Sequence, residues 1–239
     1  MLLDVRNEMV RLTATATDQK IPPVTLAEQL LPLRLLEQDI VGEIRSFELG
    51  THLYPVNSIG YGGVLNNFLE ALDWLPENQQ LGLVCRVEAF PTQVSQYMEL
   101  LTSGVRQGKT ASQAMCRKVL TQLDSALIDL DNPDGPLVSR LARLTQSGIL
   151  ERGATALVGF KQAVIDLRGF FESQYLATAR QTTGCGGLPD GQEIYAQCLR
   201  FHTTTSLSPE QVHQLGLAEV SRIETRYFAP SSLCPLSTD

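Results

Sequence analysis

Between Gln79 and Gln107 the apolar residues Leu83, Val87, Phe90, Val94, Tyr97, Leu100 and Leu101 recur at spacings of three and four. That interval matches the turn of an α-helix, about 3.6 residues, whereas one face of a strand repeats every second residue. The same spacing returns in Leu2, Val5, Met9 and Leu12, and again in Leu157, Phe160, Val164, Leu167, Phe171 and Tyr175. No segment alternates convincingly at period two between turn signals. The chain therefore reads as mainly α, a multi-helical array of antiparallel helices and αα-hairpins.

Turn residues divide the array. Pro22 and Pro23 end the first helix, since neither can donate a backbone hydrogen bond. Thr25 and Glu28 have capping-box spacing for a second helix to about Leu49, with Pro32 bending it or moving its start. Residues 50–63 read as an ordered glycine- and proline-bearing loop in which His52 is a surface residue or local hydrogen-bonder. A short apolar helix from Val64 to Leu75 carries Trp74 as a core anchor. Gly108 then separates the helix of 79–107 from one capped by Thr110 and Gln113, which runs to about Leu130. Asp131 to Pro136 form a turn that lacks the residue order of a calcium loop. A short helix from Leu137 to Gln146 and a long one from Gly148 to about Ala179 complete this part of the chain.

The segment from Gly184 to Arg226 is the least generic. A turn of Gly184, Cys185, Gly186 and Gly187 leads to Asp190 and Glu193, a third capping pair, and to a helix with Ile194, Tyr195, Cys198 and Leu199 facing inward. Ser208, Pro209 and Gln211 give the fullest helix start in the chain: hydroxyl cap, proline at the first position, capping glutamine. His202 and His213 both fall in this segment.

Chemistry-bearing motifs are scarce. No His-Glu dipeptide occurs, so the helical zinc arrangement His-Glu-x-x-His is missing, as are Gly-x-Ser-x-Gly and the phosphate loop Gly-x-x-x-x-Gly-Lys. The five cysteines are odd in number and form no Cys-x-x-Cys pair, which disfavours a disulfide framework and a zinc knuckle. A net charge of -7 and an isoelectric point near 5.0 speak against nucleic acid, because phosphate contacts need clustered Lys and Arg. No apolar run is long enough to span a membrane and no signal peptide is visible, so the location reads as cytoplasmic by default. That default lapses if residues precede Met1.

Several stretches together resemble a mostly bacterial family catalogued as domain of unknown function 885. They are Leu188 to Tyr195, His202 to Thr205 and Ser208 to Val220, with Arg86 to Pro91, Val94 to Gly108 and Phe170 to Arg180 upstream. The resemblance covers roughly Leu26 to Arg226. Members are similar to helical zinc metallopeptidases and carry a His-Glu-x-x-Pro-Gly-His motif well downstream of the segment present here. The resemblance thus implies the N-terminal portion of a larger hydrolase, with residues 1–226 as part of the family domain. Zinc is expected in a full-length relative, and no catalytic or metal residue transfers to this chain. From Tyr227 to Asp239 the sequence departs from the family, and Pro230 and Pro235 oppose continuation of the helix. A truncated, alternatively spliced or mispredicted product accounts for that tail.

On this reading Tyr195, His202, Thr203, Thr204 and His213 are the candidate substrate-binding residues, lining a cleft as hydrogen-bond donors to a peptide or peptide-like substrate. The rival expectation is a non-catalytic helical interaction module that self-associates or meets a partner through exposed apolar surface.

Overall fold

The computed structural model describes residues 2–19, 22–56, 65, 68, 69, 71, 75, 76 and 78–228. Eight α-helices of seven residues or more can be delimited among them: α1 (Leu2–Asp18), α2 (Pro23–Glu48), α3 (Gln80–Arg106), α4 (Gln113–Asp131), α5 (Pro136–Ala142), α6 (Ser147–Phe170), α7 (Gly191–Thr203) and α8 (Pro209–Phe228). A π-helical turn, Phe171–Tyr175, extends α6. The described residues contain no strand beyond an isolated parallel bridge between Ser112 and Arg180. The mainly α expectation holds.

The chain divides into two compact units, one of residues 46–191 and one of the described residues in 1–45 and 192–239. In the first, α3 and α6 pack along each other and α4 lies on α6. Their helical stripes meet in the core that the sequence periodicity outlines. Phe90 of α3 and Phe160 of α6 are wholly buried and stack at 4.1 Å between ring centroids, with Phe68 tilted against both at 4.7 and 5.1 Å. Val84, Val87, Val94, Leu101, Cys116, Val164, Leu167 and Phe171 fill the space around them. At the surface of this pair, Arg152 of α6 holds Glu88 of α3 in a two-pronged bridge at 2.6 and 3.0 Å. Arg168 likewise bridges Asp124 of α4 and Glu172.

Close approach explains Gly104. A Cβ there would collide with the Leu53 carbonyl oxygen and stand 2.7 Å from that of Lys109. Lys109 is itself buried, and its Nζ donates to the Leu49 carbonyl at the end of α2 and lies 3.9 Å from Asp190. Gly50, at φ 67°, is the left-handed residue that turns the chain there, a conformation a Cβ disfavours.

In the second unit, Arg6 of α1 pairs with Glu37 of α2 at 2.6 Å, and Arg45 of α2 pairs with Glu193 of α7. Val5, Ala16, Leu30, Ile40 and Ile194 are buried. Much apolar surface is not: Leu31, Leu35, Leu36, Val41 and Ile44 of α2 and Leu215, Leu217, Val220 and Ile223 of α8 are all exposed.

At three helix starts the capping differs from the sequence reading. α2 begins at Pro23, before Thr25, because proline at the first helical position lacks only a donor that would be orphaned anyway. It continues through Pro32 to Glu48. The cap of α4 is Ser112, whose hydroxyl accepts the Met115 N–H at 3.3 Å, while Thr110 is buried two residues earlier. Asp190 precedes α7 as expected but at φ 57°, outside the extended region usual for a cap, with its carboxylate toward Lys109. The Ser208 start is as read: the Ser208 N–H donates to Gln211 Oε1 at 2.8 Å and the Gln211 N–H to Ser208 Oγ at 3.2 Å. α8 then runs through Tyr227 and Phe228, beyond the point where the sequence reading begins the tail. Trp74 and most of the helix expected at 64–75 lie outside the described residues, although Leu65, Phe68, Leu69 and Ala71 are helical.

Candidate functional site

The residues singled out from sequence sit at the end of α7 and the start of α8. Thr203, Thr204 and Thr205 build the turn between these helices. Thr203 Oγ donates to the Leu199 carbonyl at 2.8 Å, accepts the Thr205 N–H at 3.3 Å and shares a hydrogen bond with Thr205 Oγ at 2.9 Å. Thr204, at φ 54°, donates its hydroxyl to the Thr203 carbonyl at 2.7 Å. These hydroxyls thus satisfy backbone groups at a helix end and stabilise a left-handed residue. Tyr195 is 48% exposed on α7. His202 is exposed and meets Phe201 edge-on at 5.2 Å, and His213 is exposed on the first turns of α8. No hydrogen bond or ring contact joins the two histidines among the described residues.

Nor does a metal donor set assemble. Among the described residues no group of three or more His, Cys, Asp and Glu side chains stands close enough to hold an ion. The third histidine, His52, stacks flat on Phe47 at 4.3 Å, and its buried Nδ1 has no hydrogen-bond partner among the described residues. It is therefore neither the surface residue nor the local hydrogen-bonder expected from its loop position. A zinc centre needs three or four converging ligands, and the described residues do not bring such a set together.

The unit of residues 46–191 offers a different site. A cleft of about 410 Å³ is lined by Tyr54, Pro55 and Val56, by Ala111, Ser112 and Met115 at the start of α4, and by Arg180 and Thr183. Its walls are fastened by backbone bonds far apart in sequence. The Arg180 N–H donates to the Ala111 carbonyl at 3.1 Å and the Gln113 N–H to the Arg180 carbonyl at 2.8 Å. Two core tyrosines secure the same walls from within. Tyr97 donates to the Pro55 carbonyl at 3.1 Å, and the Tyr175 phenol oxygen accepts the Ala111 N–H at 3.0 Å. Burial pushes the Tyr175 phenol up to about 12 and raises that of Tyr97 further, so both stay neutral in ordinary buffers. The π turn contributes here, since it carries one extra residue in the helix just where Tyr175 reaches Ala111. A second cleft, of about 540 Å³, lies beside α5 and includes Gln80 and Arg140. Those side chains are engaged with Thr145 and with the Leu75 carbonyl.

Sequence reasoning missed the 410 Å³ cleft because its three walls are about 60 to 70 residues apart along the chain. The one local sign was Arg180, a charge directly after a long helical stripe.

A mainly helical chain with this signature matches a family model described as bacterial protein of unknown function (DUF885) over residues 3–229, and the chain belongs to that family. Comparison with curated proteins and with solved structures yields no match. No helix among the described residues is long and apolar enough to cross a membrane.

Proposed function

We propose that these helices form part of the substrate-cleft wall of a zinc-dependent, peptidase-like hydrolase whose metal-binding motif lies outside this chain. Family membership over residues 3–229 is the observation that carries the reading. His202 and His213 share no hydrogen bond or ring contact among the described residues, in keeping with a wall, which needs no convergent donors. On this reading Tyr195 and the two exposed histidines are the side chains of α7 and α8 free to meet a peptide-like substrate. The purified chain then shows no peptidase activity above background against a mixed peptide library, with or without added zinc. Activity abolished by a chelator would refute the proposal.

A second reading, a non-catalytic interaction module, is favoured by one observation. Leu215, Val220 and Ile223 leave one side of α8 exposed at 50% or more, and contiguous apolar surface marks interfaces. Size-exclusion chromatography with light scattering separates the readings. Concentration-dependent association lost in Val220→Asp with Ile223→Asp supports the module, and a monomer at all concentrations removes it.

A further inference from the structure

Charge distribution in the 410 Å³ cleft is one-sided. Its described lining includes Arg180, Ser112, Thr183 and Tyr54, and no Asp or Glu. Arg180 is half-buried and makes no ion pair among the described residues, unlike Arg6, Arg45, Arg152 and Arg168. Its Nε donates to the Thr110 carbonyl at 2.9 Å, and its Nη1 to those of Thr182 at 2.7 Å and Gly184 at 2.5 Å. These bonds fix the guanidinium plane without neutralising it, and they leave Nη2 without a hydrogen bond among the described residues.

A partly desolvated cation attracts an anion more strongly than one in open water, and a guanidinium held in place loses little freedom on binding one. The remaining walls are apolar: Pro55, Val56, Ala111 and Met115. We propose that this cleft binds a small carboxylate bearing a short apolar group, with the anion on Arg180 and the apolar group against Val56 and Met115. The volume lies in the lower part of the range for small-molecule sites, about 300–1,000 Å³. The walls are held in place before any ligand arrives, by the backbone bridge at Ser112 and Arg180 and by the two buried phenols. Such a site stands independently of the hydrolase reading, since it needs no metal and no residue of α7 or α8.

The test uses isovalerate as probe, with its neutral amide isovaleramide and inorganic phosphate as comparisons, on the full chain. Saturation-transfer NMR and isothermal titration should show saturable isovalerate binding, with the amide weaker by roughly tenfold or more, as expected for loss of a hydrogen bond to a charged partner. Because Arg180 also supports the fold, the informative variant is Thr183→Glu, at an exposed position in the lining, which should abolish binding with an unchanged circular dichroism spectrum. Three outcomes overturn the proposal: no saturable binding of isovalerate, equal binding of the amide, or full binding retained in Thr183→Glu. Binding of phosphate without isovalerate overturns it too, since an ion site without the apolar wall is a different site.

Discussion

Replacing Tyr175 by phenylalanine isolates one hydrogen bond. The side chain is 1% exposed, its ring meets Phe171 at 5.3 Å between centroids, and its phenol oxygen accepts the Ala111 N–H at 3.0 Å. Phenylalanine keeps the ring and its packing, so the loss is confined to the acceptor of a buried amide. Such an orphaned donor costs about 1–3 kcal/mol. Against a total stability of about 5–15 kcal/mol that is substantial. For a chain of this size it corresponds to a fall in Tm of roughly 2–12 °C, at about 2–4 °C per kcal/mol. Urea unfolding followed by circular dichroism should show a lower midpoint with an unchanged slope. Hydrogen exchange should place the largest loss of protection at Ala111. An unchanged midpoint together with undiminished protection at Ala111 would refute the reasoning, because the amide would have found another acceptor.

Gly104→Ala should destabilise by about 1–3 kcal/mol in the same assay, because its new methyl meets carbonyl oxygens that cannot rotate away. Its partner test is Gly148→Ala, where a Cβ meets nothing within 4 Å and stability should hold or rise. Glu88 should titrate below the ordinary glutamate value, because hydrogen bonds from Arg152 stabilise its carboxylate, and Arg152→Gln should return it to that value by NMR. A folded pKa lower than the unfolded one gives a contribution present above the unfolded value and lost as pH falls through the folded one, so any effect on stability belongs to the acid limb. Finally, a thiol reagent should modify the exposed Cys85 and Cys198 in the native chain but reach the buried Cys116, whose thiol burial pushes up to about 11, only in denaturant. Rapid native labelling of Cys116 contradicts that burial.

Local physics was legible in the sequence and distant pairing was not. The stripe from Leu83 to Leu101 predicts α3 to within a residue at each end, because a core-facing helix must repeat its apolar residues at the helical period. Ser208 and Gln211 announce α8 because a capping box is complete within four residues. The similar spacing at Thr110 and Gln113 misled, since Thr110 is drawn into the interior next to the Arg180 guanidinium and Ser112 takes over the cap. Arg180 and Lys109 could not be placed from their surroundings in sequence, as the Thr110 and Leu49 carbonyls that hold them lie about 60 to 70 residues away. The histidines and threonines of 202–213 cluster in sequence for the same reason that they look chemical: polar residues gather where a helix ends and another must start.

The π turn at Phe171–Tyr175 has a consequence for how this chain tolerates insertion and deletion. A single residue added to a helix without displacing its ends appears as one such widened turn. Removing one residue there would restore an ordinary helix with its two flanks kept nearly in place, whereas a deletion within α6 itself would rotate everything downstream by about 100° and draw it back by about 1.5 Å. Only the second kind of deletion would carry Arg180 away from its bridge to Ser112. Length is therefore less constrained at this turn than in the helix before it, and a one-residue deletion in 171–173, which keeps Tyr175, should be milder than one within 160–167.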